Sequence, residues 1–565
     1  MGMSLASGEL ERIRDRVRLA KKKQKKEAEE KRKRLIKLFE GNQHEKVAEK
    51  KDRITSNHFL PKILIKVAAI AYNPPSWVIR ARREEYQGAA ELWTSILPYL
   101  WREISVTVHT RAALLDAQFG PIGVVKIGYR FETRKKLIEG MRPSPDVMIP
   151  EEILFDNPFV ERVSPKDFVI DPEVDYLSWP KAKFMAQRLI IPLEDVKRNP
   201  EFKNTESLKA DSVMEKDYAD DADLKLKTGD EYKADIQRVT VWEYHDASEG
   251  RIIYFANGHD EPLLVKEYPY IEDSNNFPFE ILHSIPVPDK FYTVAPGELM
   301  ESQQAEKNLL RSRMATKARR AVGKLVVTGT MDDAAKRAMQ SDEEGAVAFA
   351  SQGTTVNAVN IPDFSRDIYQ YDNLINEDMN LVYGTNEYEQ GILPDEKRTA
   401  TEASMLQSLS GIRKNMELQD YEDFCSRVAR KLMARGKQFF DFERIVRVTG
   451  DEGAQYWRPY TKEDIQGEFD TEVEYGSTQF SNQALQRKQF MDFYSIAKSN
   501  PLINQVELTK ELLKKFDQPI DKLLVQQPAS VPVVLSAAGQ NTVNPTATED
   551  TTGPMLAQIQ NMGGY

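Results

Sequence analysis

Side chains able to do chemistry are present in this sequence, but they are not grouped as catalysis needs them. Six histidines stand at positions 44, 58, 109, 245, 259 and 283. His245-Asp246 and His259-Asp260 fall in two hairpins expected within one domain. That leaves a metal site or an acid–base pair open, while the pattern favours turn or surface histidines. The acidic run "DYADDADL" (217–224) offers oxygen ligands but lacks the glycine and closing glutamate of a calcium loop. In "DIYQYDNLINED", Asp367, Asp372, Glu377 and Asp378 could hold magnesium, yet at helical spacing they project in different directions. No glycine-rich phosphate loop, G-x-G-x-x-G, H-E-x-x-H or G-x-S-x-G occurs. Cys425 is the single cysteine, so the chain has no intrachain disulfide and no cysteine cluster for metal; inside a helix pattern it reads as a small buried hydrophobe. Nothing here calls for catalysis, a metal or a cofactor.

Charge carries more information. Between Glu9 and Arg53 stand eighteen Lys and Arg against ten Asp and Glu, a net of +8 in a chain of net charge −10, which leaves −18 for the rest. A basic extension on an acidic body reads equally as an arm for nucleic acid or an acidic partner, or as a solvated helix or disordered tail. No run of eighteen apolar residues predicts a membrane span, and the charged N-terminal stretch predicts no secretory signal.

With 565 residues, of which 41% are hydrophobic, the chain can bury several cores and form two to four domains. Residues 1–57, dominated by Arg, Lys and Glu, offer little apolar surface, and the folded body is expected from about His58. One helix is expected over 88–119, with Ala89, Trp93, Ile96, Leu100 and Ile104 on its buried face. "FGPIGVVKIGYRFE" breaks it and starts a strand. "VERVSPKDFVIDPEV", "KFMAQRLIIP", "RVTVWEYHD" and "RIIYFANG" add strands, with a polar insertion at 205–235, giving an α+β block. From Pro296 a helix runs to Gly323, with Lys307, Arg311, Arg313, Lys317, Arg319 and Arg320 crowding its second half. A compact unit follows, with strands "KLVVTG", "AVAFAS" and "TVNAVN" and a helix "DDAAKRAM" capped by Thr330 and Asp333. A second helix, "FSRDIYQYDNLINEDMNLVYG", returns from that unit. The loop after Gly384 holds Glu387, Glu389, Asp395 and Glu396 against Lys397 and Arg398. Thr399-Ala400-Thr401-Glu402 reads as a capping box for a rod of about forty residues, roughly 60 Å long. Strands "RIVRVTG" and "EFDTEVEYG" and two helices over 482–527 precede a low-complexity tail.

The order of "LLDAQFGPIGVVKIGY", "VSPKDFVIDPE", "APGELMESQQAEKNLLRS" and "TATEASMLQ" resembles the portal proteins of tailed double-stranded-DNA bacteriophages. The resemblance spans about 58–527 and implies a portal-like α+β fold assembled as a ring, typically a dodecamer. It implies a wing at 58–295, stem helices at 296–321 and 364–384, a clip at 322–363 and a tunnel loop at 385–399. The long helix and wing strands would fill 400–480 and the crown 481–527; the extension 1–57 and the tail 528–565 lie outside the family pattern.

Such a ring would sit at one capsid vertex of the virion, after assembly in the host cytoplasm, and pass double-stranded DNA. Lys397 and Arg398 of the tunnel loop, with Arg313, Lys317 and Arg320 of the stem, are candidates to face that DNA; ion pairs with neighbouring subunits are the alternative for the stem set. Asp332, Asp333, Lys336 and Arg337 of the clip are candidates to dock the terminase large subunit and then the head–tail adaptor, or to touch a neighbouring subunit. Major capsid and scaffold proteins are further expected partners, and a membrane is not. Two other readings stay open: another minor structural protein of the virion, or a magnesium-dependent nucleic-acid enzyme.

Overall fold

The computed structural model describes residues 5, 8–44, 53–135, 151–213, 237–271, 277–320, 324–330, 332–340, 353, 355–359, 367–385, 412–440, 444–449, 455–478, 483–500, 503 and 505–516. Folding begins well before His58. Helix α1 (Glu9–Gln24) passes through a π-helical turn at Lys25–Glu29 into α2 (Glu30–Phe39). Leu10, Ile13, Val17 and Ala20 recur every three or four residues, and all are buried, as are Ala28 and Leu35 further on. These few apolar residues suffice because they share one face. This corrects the expectation of an extension outside the folded body; the charged residues between the stripe positions disguised it.

Next come α3 (Phe59–Ile70), β1 (Trp77–Ala81), α4 (Gln87–Glu103) and α5 (Val106–Phe119). The single helix expected over 88–119 is two, because Ser105 takes a left-handed conformation with φ 54° and turns the chain between them. Strands β2 (Ile122–Lys135) and β3 (Glu151–Val163) form a long antiparallel ribbon. β4 (Phe168–Ile170), β5 (Phe184–Pro192), the short helix α6 (Leu193–Arg198), β6 (Ser212–Val213), β7 (Gln237–Asp246), β8 (Arg251–Ala256), β9 (Leu264–Glu267) and β10 (Phe279–His283) complete this part. β10 joins β2–β3 as a three-stranded sheet, while β4–β5–β7–β8–β9, with β6 on the end of β7, make a second. Most of the expected insertion at 205–235 lies outside the described residues.

After a 3-10 turn at Pro296–Met300 come α7 (Glu301–Arg320), β11 (Lys324–Thr328), α8 (Asp333–Gln340), β12 (Thr355–Val359) and α9 (Asp367–Tyr383). β11 and β12 pair antiparallel, so the chain leaves along α7, turns through a small β-unit and returns along α9. The expected strand "AVAFAS" and the capping box at 399–402 lie outside the described residues. α10 (Ile412–Phe439) is the described part of the rod. A hairpin of β13 (Arg444–Thr449) and β14 (Gln455–Tyr460), then β15 (Phe469–Val473), α11 (Gln483–Ala497) and α12 (Gln505–Lys515) follow. β15 pairs with β1, Trp77 opposite Val473, which joins two segments almost four hundred residues apart in sequence.

The largest core gathers Leu35, Phe59, Trp93, Trp101, Phe119, Tyr383, Tyr421 and Phe424 around α10. Two smaller cores lie beneath α1 and the π-turn. One joins Leu10, Ile13 and Val17 to Trp242, Tyr244 and Phe255 of the five-strand path; the other packs Ala28 with Ile122, Phe168 and Phe279. The N-terminal helices thus strap three cores together. At Gly123 a Cβ would come within 2.0 Å of the Ala113 carbonyl oxygen, so only glycine lets β2 lie this close to α5.

Candidate functional site

The face of α7 turned inward is polar. Lys307, only 1% exposed, donates from Nζ to Asp372 Oδ1 at 3.1 Å and to Asn376 Oδ1 at 2.7 Å, locking α7 to α9. One residue further, Asn308 Oδ1 accepts the Ser56 N–H at 2.9 Å, and Gln304 Oε1 accepts the His58 N–H at 3.1 Å. Gln304 Nε2 donates to the Ser56 carbonyl at 2.8 Å, and Ser312 Oγ accepts the Ile54 N–H at 3.0 Å. The segment before α3 is strung along α7 by these bonds, and every one satisfies a backbone group that would otherwise need water.

Two lysines of α3 hold the end of α9. Lys62 donates to Asn380, and Lys66 donates to the Tyr383 carbonyl at 3.0 Å and to Glu417 Oε1 at 2.6 Å, its ammonium lying 4.3 Å from the Tyr383 ring centroid. Burial, helped by the Lys307 charge, pushes Lys62 down to about 8; burial with Lys307 and Lys62 pushes His58 down to about 4. α9 stops at Gly384, whose φ of 77° reverses the chain while the N–H groups of Gly384 and Thr385 both reach the Asn380 carbonyl.

The candidate basic residues fall differently. Arg313 is exposed, Lys317 is half-buried, and Arg320 ends α7. Lys397 and Arg398 lie outside the described residues. Lys307, counted in the sequence among the basic crowd of α7, is instead buried against α9. On α8, Asp332, Asp333, Lys336 and Arg337 are all exposed, and Lys336 pairs with Asp333 at 3.0 Å. The helix is capped by Asp332, which accepts the Ala335 N–H at 2.8 Å, rather than by Thr330 and Asp333. Asp372, one of the carboxylates considered for magnesium, is taken by Lys307.

Where α5, β10, α9 and α10 converge, the surface opens into a cleft of about 580 Å³. Leu114 and Leu282 are buried in its floor; Leu381, 76% exposed, and Met416, 56% exposed, stand at its mouth. Glu417 and Asp420 of α10 form one wall. Burial, then Asp423 and Glu417, pushes Asp420 up to about 6. This is the mark of a carboxylate in an apolar wall among like charges.

Comparison with protein families matches residues 103–516 to the model described as phage SU10 portal protein. The chain belongs to that portal protein family. Among solved structures, a chain from the virion of a native gene transfer agent particle is similar at 11% identity with a TM-score of 0.38, covering 85% of this chain and 92% of that one. The comparison with curated proteins gave no match. The mixed helix and sheet architecture is the α+β portal-like fold expected from the sequence, and a virion is the place where a phage portal protein acts.

In this portal subunit the fold revises the reading of two histidines and brings forward charged residues that were not singled out in the sequence. His245 is neither a turn nor a surface histidine: it lies inside β7, fully buried, with Nε2 2.9 Å from Glu243 Oε1. Lys126 of β2 grips both Glu243 oxygens, at 2.7 and 2.6 Å, and so joins the two sheets. Burial works to raise Glu243, but Lys126 and His245 outweigh it and hold the carboxylate well below its usual range; burial pushes His245 down. His259, in the turn after β8, is buried as well. Asp116 of α5, also buried, receives Arg32 of α2 at 3.0 Å and a two-pronged contact from Arg162 of β3. For Lys126 and Asp116 the local signal was weak because their partners stand far apart in sequence, whereas Glu243 and His245 are neighbours on one strand whose burial only the fold reveals.

Proposed function

We propose that copies of this chain close into a ring, a dodecamer in the manner of its family, forming the channel at one capsid vertex through which double-stranded DNA is packaged and ejected. The observation that carries this reading is the family match across residues 103–516, which spans α7, the small β-unit and α9 together. In this reading α7 and α9 are the stem, β11, α8 and β12 belong to the clip, and the segment after Thr385 is the tunnel loop. The extended α3–α6 and β1–β10 region with β13–β15 is the wing, and α11 and α12 are the crown.

Charge fits a conduit. A bore lined densely with Lys and Arg would release phosphate counterions and hold DNA tightly. A chain of net charge −10, repeated around an axis, repels the duplex and keeps it moving. Lys397 and Arg398 in the tunnel loop, with Lys317 and Arg320 at the far end of α7, steady the duplex at intervals. The exposed surface of α8, with Asp332, Asp333, Lys336 and Arg337, docks the terminase large subunit during packaging and the head–tail adaptor afterwards. Capsid and scaffold proteins receive the ring during assembly in the host cytoplasm. The chain performs no catalysis of its own.

Light scattering coupled to size-exclusion tests this reading. A ring requires a mass of about a dozen chains, each of 64.7 kDa. A monomer with magnesium-dependent nuclease or ATPase activity would overturn it.

A further inference from the structure

The open cleft and the outer face of α7 are chemically matched. On α7 the inner face is occupied by α9 and the 53–58 segment, as Gln304, Lys307 and Asn308 show. The opposite face presents Leu309, 51% exposed, and one turn further Arg313, exposed and in no ion pair among the described residues. Residues four apart on a helix stand side by side, so an apolar group and a cation project together. The cleft offers the complement: an apolar floor, Leu381 and Met416 at the mouth, and the Glu417 and Asp420 carboxylates on one wall. Asp420 makes no hydrogen bond or ion pair among the described residues. Glu417 has Lys66, and Asp420 also feels Arg427 from two turns along α10 and the like charge of Asp423.

We propose that the cleft is filled by a second copy of this chain, whose Leu309 enters the apolar floor while its Arg313 meets Asp420 beside Glu417. The contact is heterologous, one face of a subunit against a different face of the next, which is the kind that closes a ring. Burying the exposed Leu381 and Met416 supplies the attraction, and the arginine removes the cost of a half-buried carboxylate that forms no ion pair among the described residues. Arg313 is thereby withdrawn from the residues that face DNA. A nucleic acid is a poor occupant, since the wall is acidic.

The contact rests on the ring reading but can fail separately from it. Arg313→Asp and Asp420→Arg should each raise the concentration at which rings dissociate by about tenfold or more, and the double exchange should restore it. Sedimentation velocity measures this, with circular dichroism confirming that each subunit is folded. Independently of folding losses, Leu309→Cys with Met416→Cys in a Cys425→Ser background should give a ladder of disulfide-linked oligomers on a non-reducing gel. The apolar dye anilinonaphthalene sulfonate should bind dissociated subunits and lose that site in rings. A monomeric parent protein defeats the ring reading. A parent ring with undisturbed single exchanges, no ladder, or equal dye binding before and after assembly overturns the contact alone.

Discussion

Lys307 of α7 and Asp372 of α9 meet at 3.1 Å in a site where the lysine is shut off from water. A buried pair of this kind adds little net stability compared with apolar residues, but removing one partner strands the other. Lys307→Met should therefore destabilise the subunit by about 3 kcal/mol, and Lys307→Met with Asp372→Leu should recover most of that loss. Denaturant melts of the two variants check this; an unchanged midpoint in the single variant would mean that the pair does not hold α7 to α9.

The N-terminal strap makes a second demand. Leu35 is 0% exposed within the largest core, and Arg32 of the same helix reaches Asp116. Leu35→Ala should cost about 3 kcal/mol by leaving a cavity among Phe59 and Phe119. An extension independent of the body would show no change in thermal melting.

His58 gives a pH dependence of definite sign. Its pKa in the folded chain falls to about 4 from a usual 6.5, because it is half-buried and faces Lys307, Lys62 and Arg311, with Asp372 only partly opposing. The unfolded chain takes up that proton first as the solution is acidified. Stability present above pH 6.5 is then lost progressively as pH falls toward 4. His58→Gln should flatten the melting curve over that window relative to the parent, and parallel curves would deny His58 the role.

Cys425 should be inert while the chain is folded. Burial pushes its thiol up to about 12, so almost no thiolate exists at pH 8. Iodoacetamide should label it slowly in native protein and rapidly in guanidinium, as mass spectrometry would record. Fast native labelling would mean that α10 opens around it.

Much of the architecture could be read from spacing alone. Apolar-rich strand runs bounded by turn residues, such as β5 and β7, and the α7–β-unit–α9 excursion were legible because period and punctuation are local properties. The strap of α1 and α2 was not, since its apolar stripe is thin and composition drowned it. The pairing of β1 with β15 was equally hidden, because nothing near Trp77 names Val473 as its partner. Legible chemistry was poorer still. The sequence reveals that Lys307, Lys126 and Asp116 are charged, but only the fold reveals that each is packed against a partner from a distant element. The cleft is the extreme case, being assembled from four elements with no motif in any of them.

The proposal that Lys397 and Arg398 belong to a tunnel loop can be tested in an assembling particle. Changing both to Ala should leave rings intact and reduce packaged or retained DNA, measured as genome copies per particle. Normal packaging would remove them from the conduit.

Negative-stain electron microscopy of the purified protein addresses the central claim most directly. Class averages viewed end-on should show a ring of about a dozen subunits around an open axis wide enough for a DNA duplex. Solitary compact particles with no central opening would contradict it.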